Sequence, residues 1–296
     1  MLVDVEPVAQ GYVTRAGQRI AWQEFGAGEQ VVLLLPTWSI VHSDAWRHQV
    51  PVLAEHFRVL TFDGLGSGAS DRPTDPSLYG DLPSAADALA VLDARHVERA
   101  AVVGLSQGGA WALALVAQHP DRVSAVVFVA PNPPIGPGHP ERLAGGATFD
   151  EVLPSYDGWH KWNRHYWLEH YEDFLRYFFS QCFTEPGSES QIEQFVAMGL
   201  ETTPEVLLAT GAVDENDLTP ELALEWAAGI SCPALVIHGD QDAITPVTRG
   251  AELARLSGAQ LVVLPGSGHA PHFRDPEVTN AHLLPFLRSA LADGRG

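Results

Sequence analysis

Between Ala100 and Pro120 the chain reads AAVVGLSQGGAWALALVAQHP, and no other stretch limits the possible folds as much. An apolar run of β character, Ala101 to Val103, meets a Gly-Leu-Ser-Gln-Gly turn, and an Ala- and Leu-rich segment with helical spacing begins at Gln107. The predicted order is strand, sharp turn, helix. A serine at such a turn takes a strained backbone conformation that lifts its hydroxyl off the sheet edge, and Cβ atoms two residues away on either side would collide. Gly104 and Gly108 lack those atoms. A helix starting at Gln107 also points unpaired N–H groups and its positive dipole end at any charge forming beside Ser106. Gly-x-Ser-x-Gly by itself occurs by chance in many chains. The strand before it and the helix after it make it informative here.

A chain of 296 residues with 46% hydrophobic content can build a large core, since folding at this length removes roughly 75% of the unfolded surface from water. One sizeable domain with an insertion accounts for it. The formal net charge is -20 and Lys161 is the only lysine, so the field repels nucleic acid and anionic lipid, and neither is expected as a partner. No apolar run reaches the ~18 residues of a membrane span. Two cysteines, Cys182 and Cys232, make no disulfide framework, and the leading MLVDVEPVAQ carries neither a basic nor an apolar region. These features predict a cytoplasmic protein. From Tyr177 to Thr248 there are twelve Asp or Glu and no Lys or Arg, which reads as a solvated acidic face.

Along the chain, Tyr12 to Thr14 and Ile20 to Phe25 read as a hairpin turning at Ala16-Gly17. Val31 to Leu35 has the uninterrupted apolar character of a strand buried on both faces. Helical spacing over Ala45 to Phe57 and Pro83 to Arg95 alternates with strands at Arg58 to Phe62, around Val102 and at Val123 to Val129. That alternation predicts an α/β fold with a mostly parallel sheet covered on both faces. It breaks at Pro131, where prolines and glycines crowd as far as Pro140, and resumes at Ala234. The aromatic, helix-like region between is expected to be an inserted cap over 132–229, with the core built from 1–131 and 230–296. The final alternation runs through Ala234 to His238, Thr248 to Leu256, Gln260 to Leu264 and Pro276 to Leu291.

A serine hydroxyl is a poor nucleophile at neutral pH and needs a base to take its proton and a carboxylate to orient that base. Loops following strands at Gly239-Asp-Gln-Asp242 and at Gly266-Ser-Gly-His269 supply both types of residue. In a parallel sheet such loops gather at the carboxyl edge, where the serine turn also sits. Taken with the order Ser, Asp, His, these motifs give a chain that resembles an α/β-hydrolase fold serine hydrolase over nearly everything outside the insertion. The resemblance implies an eight-stranded sheet and a triad of Ser106, Asp242 and His269. Its Gly-x-x-Asp-x-x-x-Pro pattern selects Asp242 over Asp240, and it makes the Gly-rich turn from Asp63 to Pro73 structural. It also implies the backbone N–H groups of Trp38 and Gln107 as oxyanion donors. Here the chain departs from the family, with Pro36-Thr37-Trp38 where His-Gly is usual.

No cofactor or metal is expected, because the thirteen histidines include no thiolate pair or His-Glu spacing of a zinc site. Trp159, Trp162 and Tyr166 recur at three- and four-residue spacing, and with Thr37, Trp38 and Trp111 they are expected to surround the substrate. The acidic run offers no cation for an anionic ligand unless Lys161, Arg164 or Arg176 turns inward. The sequence therefore points to an ester or related acyl bond of a neutral, apolar or aromatic small molecule, cleaved through an acyl-enzyme on Ser106. Carbon-carbon bond hydrolysis, acyl transfer or lyase chemistry on the same triad remains open, as does a ligand-binding protein with little turnover. An epoxide or haloalkane hydrolase fits less well, since those enzymes carry Asp where this chain has Ser106. Nothing in the sequence sets the number of copies in the assembly.

Overall fold

Eight strands form one sheet in the order β1-β2-β4-β3-β5-β6-β7-β8. They are β1 (Ala9–Arg15), β2 (Gln18–Phe25), β3 (Val31–Leu34), β4 (Arg58–Phe62), β5 (Ala100–Leu105), β6 (Val123–Val129), β7 (Ala234–Gly239) and β8 (Gln260–Leu264). The computed structural model describes residues 5–210 and 218–292. β1 and β2 pair antiparallel through a two-residue turn in which Ala16 and Gly17 both have positive φ, 48° and 80°. That twist suits a tight hairpin. β2 pairs antiparallel with β4, and every later neighbour is parallel.

The central strands read as continuous apolar runs because both their faces are covered. One face packs under α2 (Asp81–Ala94), α3 (Gln107–Gln118), α9 (Pro220–Ala228) and α10 (Val247–Ser257), with Leu33, Val102, Val126 and Val236 against Val91, Leu113, Ala223 and Leu253. The other packs Val32, Val103, Val127 and Ile237 on α1 (Val50–Ala54) and α12 (Pro276–Ala292) through Leu53, Leu283 and Leu287. Each such side chain contributes about 1.5–3 kcal/mol on burial, so the sheet is a rigid platform for its edge loops. The helix expected over Ala45 to Phe57 is instead a 3-10 turn at Ser43–Trp46 followed by α1, whose start is fixed by Pro51. No helix of the described residues is long and apolar enough to cross a membrane.

Between β6 and β7 the chain leaves the sheet after Val129 and forms α4 (Pro140–Gly146), α5 (Arg164–Glu169), α6 (Tyr171–Cys182), α7 (Glu189–Gly199) and α8 (Pro204–Ala209). These helices share a third cluster rich in aromatics, including Trp159, Trp162, Trp167, Phe174, Phe178 and Phe195. It joins the core through Ile40, Ile244 and Phe273, the last on α11 (Pro271–Arg274). α9, placed in the insertion by the break in alternation, packs instead with α3 and α10, because Ala223 and Ala227 bury against the sheet-side cluster. The helical face expected through Trp159, Trp162 and Tyr166 is interrupted. Trp159 sits on a 3-10 turn (Gly158–Lys161), and the buried Asn163 starts a new helix, its side chain accepting from the His165 and Tyr166 N–H groups.

Candidate active site

Ser106 joins β5 to α3 with φ 54° and ψ -118°, a conformation rarely held by a residue with a side chain. Its N–H donates to Val129 O at 2.9 Å, and its carbonyl accepts from Gly109 N and Asn132 N at 2.9 and 3.0 Å. These bonds hold the strained turn. A Cβ on Gly104 would lie 2.2 Å from Gly108 O, and one on Gly108 would lie 2.3 Å from Pro36 O. The first clash is within the turn, as its sequence implies; the second is with the loop after β3, which ties that loop to the serine. Gly108→Ala is therefore expected to lower stability by about 3 kcal/mol or more, a drop of roughly 5–10 °C in thermal unfolding followed by circular dichroism. An unchanged Tm would mean the loop is not packed this tightly.

His269 Nε2 lies 2.8 Å from Ser106 Oγ, and His269 Nδ1 lies 2.7 Å from Asp242 Oδ2. An ionised carboxylate can only accept, so Nδ1 carries the proton and Nε2 is free to take one from the serine. Asp242 is buried and fully engaged: Oδ1 accepts from Ile244 N and Thr245 N, both at 2.8 Å, and Oδ2 also meets His238 Nε2 at 3.0 Å. Burial pushes its pKa up, but the charge of His269 and the hydrogen bonds from His238 and His269 outweigh it, leaving Asp242 well below the usual carboxylate range. Asp240 lies outside this network and accepts from Gly266 N at 2.7 Å.

The histidine loop is held from the insertion. His269 N donates to Cys182 O at 2.8 Å, at the end of α6, and Gly268 N donates to Glu185 at 2.7 Å. Neither contact is legible in the sequence, where the partners lie more than eighty residues apart. His238 was visible as the end of a strand, but only the fold brings its ring onto Asp242. His272 is buried against Trp46, ring centroids 4.8 Å apart, and burial lowers its pKa to about 3. His165 bonds to Asp150 O at the surface. The Asp63 turn is structural: its carboxylate accepts from Ser43 N and Ala69 N at 3.0 and 2.8 Å.

Ser106 and His269 line a cavity of about 130 Å³ with Thr37, Trp38, Gln107, Asn132, Arg142 and Trp162 among its walls. Phe178, Phe179 and Phe195 close it from the insertion. The N–H of Gln107 is one of the unpaired donors at the start of α3, and that of Trp38 has no acceptor among the described residues. Trp38 explains how a Pro-Thr-Trp loop keeps its shape. Its indole N–H donates to Thr210 Oγ1 at 2.9 Å and its ring packs on Trp162 and Phe178, with centroids 5.0 and 5.4 Å apart. The Thr37 hydroxyl is buried with no partner among the described residues.

Three expected pocket residues lie elsewhere. Trp111 joins the cluster under α2 and lines a separate cavity of about 20 Å³, which meets the catalytic one at Trp38 and Gln107. Trp159 packs behind Trp162, ring centroids 6.5 Å apart. Tyr166 points outward, its hydroxyl donating to Asp173 at 2.6 Å. Arg142, at the start of the insertion and not among the pocket residues expected from the sequence, is the cation on the cavity wall. A wider groove of about 970 Å³, beside Tyr12, Trp22 and Asp44, contains none of Ser106, Asp242 or His269.

Comparison with known proteins supports the fold. A 2-hydroxymuconate semialdehyde hydrolase from a Pseudomonas species is 31% identical over 87% of this chain and 86% of its own length. A pimeloyl-[acyl-carrier protein] methyl ester esterase from Edwardsiella ictaluri is 27% identical over 93% of this chain and 97% of its own length. Among solved structures, a hydrolase from Pseudomonas aeruginosa superposes with a TM-score of 0.77 at 27% identity, covering 95% of this chain and 99% of that one. The family model of the alpha/beta hydrolase fold matches residues 30–276, and the chain belongs to that family.

Proposed function

We propose that this protein hydrolyses an ester or related acyl bond of a small molecule with an apolar or aromatic acyl part, through an acyl-enzyme on Ser106. The observation that carries this reading is the unbroken line Ser106 Oγ, His269, Asp242, with contacts of 2.8 and 2.7 Å, opening on an aromatic cavity. Ser106 Oγ attacks the carbonyl carbon as His269 Nε2 takes its proton, and the oxyanion is held by the Trp38 and Gln107 N–H groups. His269 then returns the proton to the leaving oxygen, and the C–O bond breaks. Water repeats the sequence on the acyl-enzyme, with His269 again as base, and releases the acid. Asp242 holds the imidazole and balances its charge throughout. The relatives include an esterase and a semialdehyde hydrolase, which supports hydrolysis and leaves carbon-carbon cleavage as the second reading.

The cavity sets the size of the acyl part. A closed apolar cavity of roughly 150 Å³ accommodates one benzene ring, and this one is about 130 Å³. Across 4-nitrophenyl esters, kcat/KM is expected to peak at acyl groups of about four to seven carbons or benzoyl, and to fall at least about tenfold for dodecanoyl. Steady-state kinetics on that series checks it. An optimum at acetyl or at dodecanoyl would contradict the reading of these walls.

A further inference from the structure

Arg142 lies on α4, at the start of the insertion, and its side chain forms part of the wall around Ser106. The three cations expected as candidates to turn inward are all spent at the surface: Lys161 on Asp173, Arg164 on Asp150, and Arg176 on Glu172 and Glu193. Arg142 has no carboxylate partner among the described residues. Its one protein hydrogen bond there runs from Nη1 to Ile244 O at 3.0 Å, and its guanidinium sits 5.2 and 5.7 Å from the ring centroids of Trp162 and Trp159. A guanidinium has five N–H donors, so most of its donor fork is uncommitted.

The surroundings reinforce the positive end of the cavity. Arg249 is half-buried close by, donating to Asn132 Oδ1 at 2.9 Å and to Pro137 O at 3.1 Å, and it too lacks an acidic partner among the described residues. The nearby Asp242 is already committed to four donors. Burial first, and then the charge of Arg249, lower the pKa of Arg142 to about 10, so it stays cationic at neutral pH. Desolvating a guanidinium costs several kcal/mol unless an anion compensates. The Asp242 charge offsets part of that cost from a distance, but in a chain of net charge -20, with acidic side chains plentiful, a cation beside the serine with no carboxylate in contact among the described residues is conspicuous. The expectation of a neutral substrate rested on the lack of such a cation, and Arg142 removes that ground.

We propose that Arg142 binds a carboxylate carried by the substrate, so that the preferred substrates are small apolar or aromatic acyl compounds that also bear a free carboxylate. This rests on the acyl-enzyme reading of Ser106. A planar carboxylate meets the guanidinium fork with two parallel hydrogen bonds, while the ring faces of Trp159 and Trp162 hold the fork from behind. A monoanion also matches one cation, whereas a phosphate dianion would bring excess charge into an aromatic cavity.

The probes are benzoate and its neutral isostere benzamide, each used to slow labelling of Ser106 by a fluorophosphonate. In the wild type, benzoate is expected to protect at concentrations about 10- to 100-fold lower than benzamide, the range for hydrogen bonds to a charged group. Arg142→Gln should collapse that ratio towards one, and Arg142→Lys should retain part of it. A purely structural Arg142 would change the labelling rate without changing the ratio. Equal protection by the two probes in the wild type would overturn the proposal even if neither variant folds, and so would an unchanged ratio in folded Arg142→Gln. Failure of the fluorophosphonate to label Ser106 at all would instead overturn the acyl-enzyme reading beneath it.

Discussion

Ser106→Ala is expected to lower turnover of any ester substrate by up to ~10⁶-fold while leaving the fold intact, because the members of a triad act as a unit. The hydroxyl removed is the one 2.8 Å from His269 Nε2, and no other hydroxyl in the cavity has that base. Thr37 lines the same cavity, but its Oγ1 has no partner among the described residues. His269→Ala should lose about as much, since the remaining serine keeps its proton. The alanine at position 106 also relieves nothing in the backbone, whose φ of 54° is imposed by the surrounding turn. Initial rates on 4-nitrophenyl butanoate, with circular dichroism to verify folding, provide the check. Residual turnover within about tenfold of wild type would remove Ser106 as the nucleophile.

Asp242→Asn is expected to reduce turnover by about 10⁴-fold. The carboxylate accepts from two backbone N–H groups on one oxygen and from two imidazoles on the other. An amide must place its NH₂ against one of those pairs. Facing the backbone, it sets donor against donor at Ile244 and Thr245; facing the rings, it forces His269 into the tautomer whose Nε2 holds a proton and cannot accept one from Ser106. The first strains the loop and leaves the imidazolium without its countercharge, and the second disables the base. Asp240→Asn should change kcat by less than about tenfold, because Asp240 accepts from Gly266 N outside the network. The amide oxygen still accepts from Gly266 N, so loop stability should change by less than about 1 kcal/mol. Kinetics of the two variants side by side check the assignment, and the reverse ranking would move the catalytic acid to Asp240.

Much of this architecture is written in local pattern. β6 occupies the stretch expected from its apolar run, Val123–Val129, because a strand buried in a parallel sheet needs little else to declare itself, and the edge strand β8 also falls where expected, at Gln260–Leu264. The serine turn is legible for a related reason: Gly104 answers a collision within the turn itself, although the one that Gly108 avoids is with Pro36 of the loop after β3. The walls of the cavity were harder to read. Trp111, Trp159 and Tyr166 share aromatic character with Trp162, and only tertiary packing decides which ring meets the ligand. A three- or four-residue spacing assumes one continuous helix, and the cap of Asn163 breaks it. Arg142 was hidden for the opposite reason. A single cation beside Glu141, just after the proline-rich stretch, reads as a solvated surface residue, and only the folded insertion carries it to the cavity.

The measurement that bears most directly on the central claim is the mass of the protein after exposure to a fluorophosphonate, followed by peptide mapping. The account predicts a single adduct on Ser106 in the wild type, none in Ser106→Ala, and loss of ester turnover in step with labelling. An enzyme that keeps turning over esters while unlabelled, or that carries its adduct on a residue other than Ser106, would contradict it.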